Sequence, residues 1–297
     1  MNTLETFAHA KINLFLHVTA RRPNGYHELD SLAVFAAAAD RLRLVPAMAE
    51  SDGARLSISG PFGAGLEDGP GNLVSRAIDL LRNDAGARGS RVFGIELDKR
   101  LPVASGIGGG SADAAAALRL AATAWDMAHV DLTPYAEKLG ADVPVCLAQR
   151  PARMQGIGEV LTPGPIMPRL SMVLANPGIA VPTPEVFGLW KQSGAAFRDI
   201  TTLPAEWHDL TSVVDTLRHT TNDLQSVAIA RYPMIGTVIE ALGAQPGCAL
   251  ARMSGSGATC FGLFATRDAA ETAAFHLARE GWWTHAGPLY DPGCDPS

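Results

Sequence analysis

Four glycines, Gly106, Gly108, Gly109 and Gly110, crowd into five positions of the run Pro102-Val103-Ala104-Ser105-Gly106-Ile107-Gly108-Gly109-Gly110-Ser111-Ala112. Glycine lets a backbone approach a ligand closely and turn through positive φ. The alanines that follow are strong helix formers. A helix start offers N–H groups with no partner inside the helix, and the positive end of the macrodipole. A glycine loop feeding a helix is therefore suited to cradle a phosphate, and Ser111 is placed to cap that helix. Two common phosphate loops are excluded. The chain has no Gly-Lys pair, hence no Walker A loop, and Ser111 stands where a dinucleotide fingerprint needs its third glycine. A plain flexible loop over a buried helix is the competing reading.

Of the 24 lysines and arginines only four are lysine, at positions 11, 99, 138 and 191. Lys11 lies in an apolar stretch, two residues before the polar Asn13. Burying an ammonium is costly without an anionic partner. Lys11 either runs its stem along an edge strand to water or presents a compact cation to a carboxylate or phosphate. Asp142, in the segment LGADVPVCL, either caps the turn that begins at Val143 or accepts a proton from a substrate hydroxyl, with a nearby lysine keeping it ionised. Asn24-Gly25-Tyr26-His27 is either a surface turn or a platform that stacks on a flat heterocycle. Ser254-Gly255-Ser256-Gly257 is a tight turn that could also pack beneath the first loop or offer N–H groups to an anion.

These residues need elements to hold them. Ile12, Leu14, Leu16 and Val18 alternate with Asn13, Phe15, His17 and Thr19, which predicts a strand; Pro23-Asn24-Gly25 then marks a turn. Residues 41–45 and 56–59 read as strands, and Asn72 caps a predicted helix over 72–81. A strand over 92–97 leads into the glycine loop. Thr133 as N-cap and Pro134 at the first helical position start a further helix that Gly140 stops. An apolar strand over 170–175 ends at Asn176-Pro177-Gly178, and a helix follows the Pro182-Thr183-Pro184 loop. Asn222 caps another helix, with Gln225 reaching back. Strands over 249–253 and 258–264 flank the second glycine loop. A helix from about Asp268 and a strand near Trp282 complete the order, and the segment from Asp291 to Ser297 frays. This order fits segregated α+β domains better than a repeating βαβ sheet, divided into residues 1–160 and 161–297.

Composition bounds the rest. At 297 residues, 47% of them hydrophobic and 18% charged, the chain is globular with ample core. A net charge of −6 argues against broad binding to nucleic acid or to an acidic membrane. Cys146, Cys248, Cys260 and Cys294 show no CxxC spacing and read as reduced thiols of a cytoplasmic protein. No basic leader precedes the first apolar stretch, and no apolar run reaches the roughly 18 residues of a membrane span. The expected partner is a small molecule, with no nucleic acid and no membrane, for a monomer or homodimer.

Seven segments together resemble the GHMP kinase superfamily, which includes galactokinase, homoserine kinase and mevalonate kinase. They are AKINLFLHVTARRPNGYHELDSL at 10–32, KRLPVASGIGGGSADAA at 99–115, LGADVPVCL at 139–147, MQGIGEVLTP at 154–163, NPGIAVPTPEVF at 176–187, NDLQ at 222–225 and MSGSGATCF at 253–261. The two glycine loops mark only the superfamily. The K-x-N-L strand joined to x-G-Y-H, with GADVP and PTPEVF, is similar to its branch that acts on methylerythritol carrying a cytidine diphosphate. The resemblance implies an N-terminal α+β nucleotide-binding domain, a ferredoxin-like C-terminal domain, and ATP-dependent phosphorylation of the 2-hydroxyl of that substrate. It implies Asp142 as the base and Lys11 as its charged partner, with Pro102 to Ala112 wrapping the triphosphate and Asn72 and Lys99 near the adenosine. Tyr26, His27 and Phe187 match a cytidine pocket, and Asn13 and Thr183 the polar groups of the substrate. Magnesium is expected with the ATP; its ligands are not identified, and Ser111 is the best placed in the loop. Cys146 departs from the aromatic or aliphatic residue frequent at its position. Another GHMP kinase, or a nucleotide-binding module without chemistry, are the alternatives; a dinucleotide oxidoreductase lacks its glycine.

Overall fold

The structure is a computed structural model that describes residues 4–46 and 55–293. Cys294 and the end of the tail, for which fraying is expected, lie outside the described residues. In chain order the first half forms β1 (Glu5–Arg21), β2 (His27–Pro46), β3 (Arg55–Ser59), α1 (Leu73–Asp84), β4 (Phe93–Asp98), α2 (Gly109–Ala124), α3 (Thr133–Leu139) and α4 (Val143–Ala148). The second forms β5 (Ala152–Gly156), β6 (Val160–Pro163), β7 (Ser171–Asn176), α5 (Thr183–Gln192), α6 (Leu210–Leu217), α7 (Gln225–Arg231), α8 (Met234–Gly243), β8 (Cys248–Met253), β9 (Cys260–Phe264), α9 (Arg267–Ala278) and β10 (Trp283–Tyr290).

Contacts divide the chain into two compact units. One holds residues 1–10, 39–103 and 108–148, the other 11–38, 104–107 and 149–297. The divide thus differs from a single cut at residue 160. It falls inside β1 and β2, because each of these strands is long enough to serve both units. Only residues 41–45 of β2 are legible as strand, since the Phe35–Ala39 run is mostly alanine, a poor strand former; pairing along its length overrides that preference.

In the first unit β4 pairs antiparallel with the end of β2, from Arg41 opposite Asp98 to Pro46 opposite Phe93, and parallel with β3. Helix α1 begins as predicted, with the Asn72 side chain accepting from Val74 N at 2.9 Å. Helix α2 is buried nearly all round, from Ala112 through Ala122. Its alanines let neighbouring helices approach closely, and Trp125 closes its end, fully buried against Phe93 at 5.0 Å between ring centroids. Two predicted caps shift. Gly108, at φ +64°, is the N-cap of α2, so Ser111 sits inside the first turn; the left-handed glycine admits the chain to the helix earlier. Leu132 precedes α3 as its cap, and the Asp131 carboxylate takes the Thr133 N–H at 3.0 Å. Gly140 does end α3.

The second unit carries strands in the order β10-β7-β9-β8, all antiparallel neighbours. Helices connect β7 to β8 and β9 to β10. That connectivity is the ferredoxin-like split βαβ arrangement. Its helices cover a core that includes Trp190, Leu224, Ile235, Val238 and Phe264. Residues 11–18 of β1 are buried on both faces rather than alternately. Leu224, not Asn222, precedes α7 as its cap; Asn222 Oδ1 accepts from Leu224 N at 3.0 Å, and the Gln225 side chain, predicted to reach back, accepts from Met253 N instead. The strand bearing Met253 competes successfully for it.

Candidate functional site

Within residues 104–107 every backbone carbonyl is tied down. Ala104 O accepts from Val181 N at 3.2 Å, Ser105 O from Thr259 N at 3.0 Å, Gly106 O from the Ser254 hydroxyl at 3.0 Å, and Ile107 O from Lys11 N at 3.0 Å. The acceptors of the loop are thereby used up by its own unit, which leaves its chemistry to N–H donors. Gly106, at φ +76°, lies so close to the second glycine loop that a Cβ would collide with Ser254 O and meet Gly257 N at 2.7 Å. Ser254-Gly255-Ser256-Gly257 therefore packs against the first glycine loop, one of the two roles its sequence allowed. Ser254 also accepts from Asn13 N at 3.1 Å.

On the first unit, Gly109 and Gly110 open α2, where the first N–H groups have no partner inside the helix. A Cβ on Gly110 would meet only Leu73 Cδ1, at 3.8 Å, which places the start of α1 and its cap Asn72 beside the loop. Under Gly109 lies a charged cluster. Lys99, 3% exposed, donates to Asp40 Oδ2 and, at 2.7 Å, to Asp113 Oδ2. Asp40 Oδ1 also accepts from Arg100 N at 2.5 Å and Leu101 N at 2.8 Å. Burial pushes the Asp113 carboxyl up to about 8, against the pull of Lys99. Burial also opposes the Lys99 charge, but Asp113 and Asp40 outweigh it and raise its pKa. Asp113 Oδ1 is buried and finds no hydrogen-bond partner among the described residues.

An aromatic cavity of about 560 Å³ forms on the second unit, lined by Tyr26, His27, Thr183, Phe187 and Lys191 among others. Tyr26 and His27 leave the turn at Gly25, whose φ is +93°, and Thr183 and Phe187 come from α5. The His27 ring stacks on Phe187 at 5.3 Å and 17°, and meets Trp190 edge-on at 5.4 Å. Burial, then Arg21 and Lys191, hold the His27 imidazole below the usual histidine range. Its Nε2 is buried and has no hydrogen-bond partner among the described residues. Thr183 and Ser256 share a hydrogen bond of 2.8 Å between their hydroxyls. Asn13 is 3% exposed; its Nδ2 donates to Ser31 Oγ at 2.7 Å, while Oδ1 is left without a partner. Thus Tyr26, His27, Thr183 and Phe187 come together around one cavity, which Asn13 does not line.

Lys11 is 5% exposed in β1, so it does not snorkel to water. Asp142 is half-buried immediately before α4 and belongs to the first unit, Lys11 to the second. Sequence reading missed Asp40 and Asp113. The available signal was the one that singled out Asp142: a lone carboxylate in an apolar run, here FAAAAD and ADAAAAL. Asp30 was missed too. It is fully buried and held at both oxygens by Arg153, at 2.7 and 2.9 Å, with Thr201 N at 2.7 Å.

The GHMP kinases N terminal domain family matches residues 72–150, and the GHMP kinases C terminal family residues 207–281. The chain is 52% identical to the 4-diphosphocytidyl-2-C-methyl-D-erythritol kinase of Gluconacetobacter diazotrophicus, over 97% of this chain and 95% of that one. It is likewise 52% identical to the enzyme of that name from Cereibacter sphaeroides, over 94% and 96%. A crystal structure of 4-(cytidine 5'-diphospho)-2C-methyl-D-erythritol kinase superposes with a TM-score of 0.78 at 35% identity, over 97% of this chain and all of that one. Fold, motifs and relatives agree: the chain is a small-molecule kinase and belongs to the 4-diphosphocytidyl-2-C-methyl-D-erythritol kinase family of the GHMP kinases.

Proposed function

We propose that this chain transfers the γ-phosphoryl group of ATP to the 2-hydroxyl of 4-diphosphocytidyl-2-C-methyl-D-erythritol, the compound in its relatives' names, in the non-mevalonate route to isoprenoid precursors in the cytoplasm. Phosphoryl transfer asks a protein for positioning and charge neutralisation more than for covalent chemistry. The segment Pro102, Val103, Ala104, Ser105, Gly106, Ile107, Gly108, Gly109, Gly110, Ser111 and Ala112 takes the triphosphate, with Asn72 at the adenosine end; Lys99, 3% exposed and engaged by Asp40 and Asp113, supports the start of α2 from beneath instead of reaching the adenosine. Asp142 orients the attacking hydroxyl and accepts its proton; Lys11 supplies positive charge to the same step. Among the described residues no group of three or more His, Cys, Asp or Glu side chains could hold a metal ion. Magnesium keeps several waters and takes few protein ligands beside phosphate oxygens, so here the triphosphate itself would be its main holder. The chain acts as a monomer or homodimer, and as units of descent we retain residues 1–160 and 161–297.

The observation that carries the substrate assignment is the cavity at His27. A flat base fits against the rings of Tyr26, His27 and Phe187. Asn13 Oδ1 and Thr183 Oγ1 serve the polar groups beyond the base. Stacking on aromatic side chains is worth roughly 1–3 kcal/mol per base. Binding energy from this remote group holds the hydroxyl in line with the γ-phosphate. The test compares free methylerythritol phosphate with its cytidylylated form in a coupled assay. The cytidylylated compound is expected to be the far better substrate, and equal kcat/KM for the two overturns the assignment.

A further inference from the structure

The buried cluster Asp40–Lys99–Asp113 joins three elements of one unit. Asp40 comes from β2, Lys99 from the residue after β4, and Asp113 from the start of α2. Three ionisable side chains at 5% exposure or less are costly to bury. Hydrophobic packing would hold a fold together as well, so the arrangement calls for a reason other than stability. Its position supplies one. A Cβ on Gly109 would lie 3.1 Å from Lys99 Nζ and 3.9 Å from Asp40 Oδ2. The Lys99 ammonium is therefore the floor on which the first turn of α2 rests, and Asp113 ties that turn to it.

We propose that Asp113 is a positioning residue for nucleotide binding: through Lys99 and Asp40 it locks the first turn of α2 onto the end of β4, so that the N–H groups of Gly109 and Gly110 stay aimed at the phosphates. This rests on the reading of the glycine loop as the ATP cradle. It places Lys99 beneath the loop, where it acts through the backbone. The cluster has a fixed geometry because Asp40 Oδ1 is itself held by two backbone N–H groups, of Arg100 and Leu101. A helix start that swings by even an ångström carries its N–H groups out of hydrogen-bond reach of the phosphates.

The experiment is calorimetric titration of the full chain with a non-hydrolysable ATP analogue, for wild type, Asp113→Ala and Asp113→Asn. Asparagine keeps an oxygen for Lys99; alanine, native to this helix, removes the tie. The expected result is at least a ten-fold loss of affinity in the alanine variant and a change of no more than about three-fold in the asparagine variant, since only misaim is corrected by the isostere. A charge effect has the opposite sign, because whatever negative charge is lost near the phosphates tightens anion binding, and does so in both variants. Unchanged or tighter binding by Asp113→Ala overturns the proposal while leaving the glycine loop as the ATP site. Wild-type protein that does not bind the analogue overturns both. Asp113→Ser, measured alongside, serves the same comparison if the alanine variant is isolated unfolded, and affinity within three-fold of wild type overturns the proposal there too.

Discussion

The nucleotide end and the aromatic cavity solve recognition with opposite materials. In the proposed reading the groups that meet the nucleotide are backbone in each unit: residues 104–107, held by side chains such as Ser254, in one, and the start of α2, held by Lys99 and Asp113, in the other. At the cavity the working surface is side chain. Tyr26 is 60% exposed, while His27 has its ring packed between Phe187 and Trp190. The difference follows from the ligands. Phosphate oxygens are met by N–H groups that every residue carries, so shape is what must be specified. A base is met by a flat face and one directed hydrogen bond, so residue identity is what must be specified. Backbone recognition ought therefore to fail through steric change, and side-chain recognition through truncation.

The sharpest break in that scheme is expected at Asp142, which belongs to neither surface. Asp142→Asn should lower kcat on the order of 10²–10⁴-fold, as loss of a general base does, with ATP affinity nearly unchanged. Steady-state kinetics with calorimetry checks this, and a variant that keeps half of wild-type kcat removes Asp142 from the reaction. Next in size, His27→Ala should cost about 1–3 kcal/mol in kcat/KM for the cytidylylated substrate. The KM for ATP should stay put. Parallel loss of both substrates would mean that the two surfaces are not independent.

A pair of glycine substitutions separates scaffold from surface at the other end. Gly106→Ala places a Cβ into Ser254 and Gly257 at positive φ. Strained backbone of this kind costs about 1–3 kcal/mol before any collision is counted, and thermal melting should show it. Gly110→Ala meets only Leu73; in a helix it should leave the melting temperature level or raise it slightly while weakening ATP binding. If Gly110→Ala binds ATP as wild type does, the phosphates do not approach that position.

Legibility divided along the same line. The glycine loop, the alanine helix and the Asn72 cap are written in adjacent residues, and each is where its spacing places it. NGYH and PTPEVF were legible as separate patches; the cavity that joins Tyr26 and His27 to Thr183 and Phe187 is made by the fold. The Asp40–Lys99–Asp113 cluster was not legible, because its partners stand 59 and 14 residues from Lys99. Asp113 also hides in a run of helix formers, where its periodicity says only that it is buried. The caps that moved at Ser111 and Thr133 did so because a neighbour, Gly108 or Asp131, did the work three or two residues earlier.

The four tied carbonyls of residues 104–107 bear on the entropy of binding. Fixing one residue's backbone costs about 1–2 kcal/mol in conformational freedom at 25 °C. A glycine-rich loop is where that cost is highest, since glycine has the most freedom to lose. Here Val181, Thr259, Ser254 and Lys11 order the segment as the chain folds, so the loss is charged to folding and is already settled when a nucleotide arrives. Four residues at that rate amount to roughly 4–8 kcal/mol that association need not supply. Nucleotide capture should accordingly proceed without an ordering step in this segment, and the heat of binding should report contacts made rather than a loop closing.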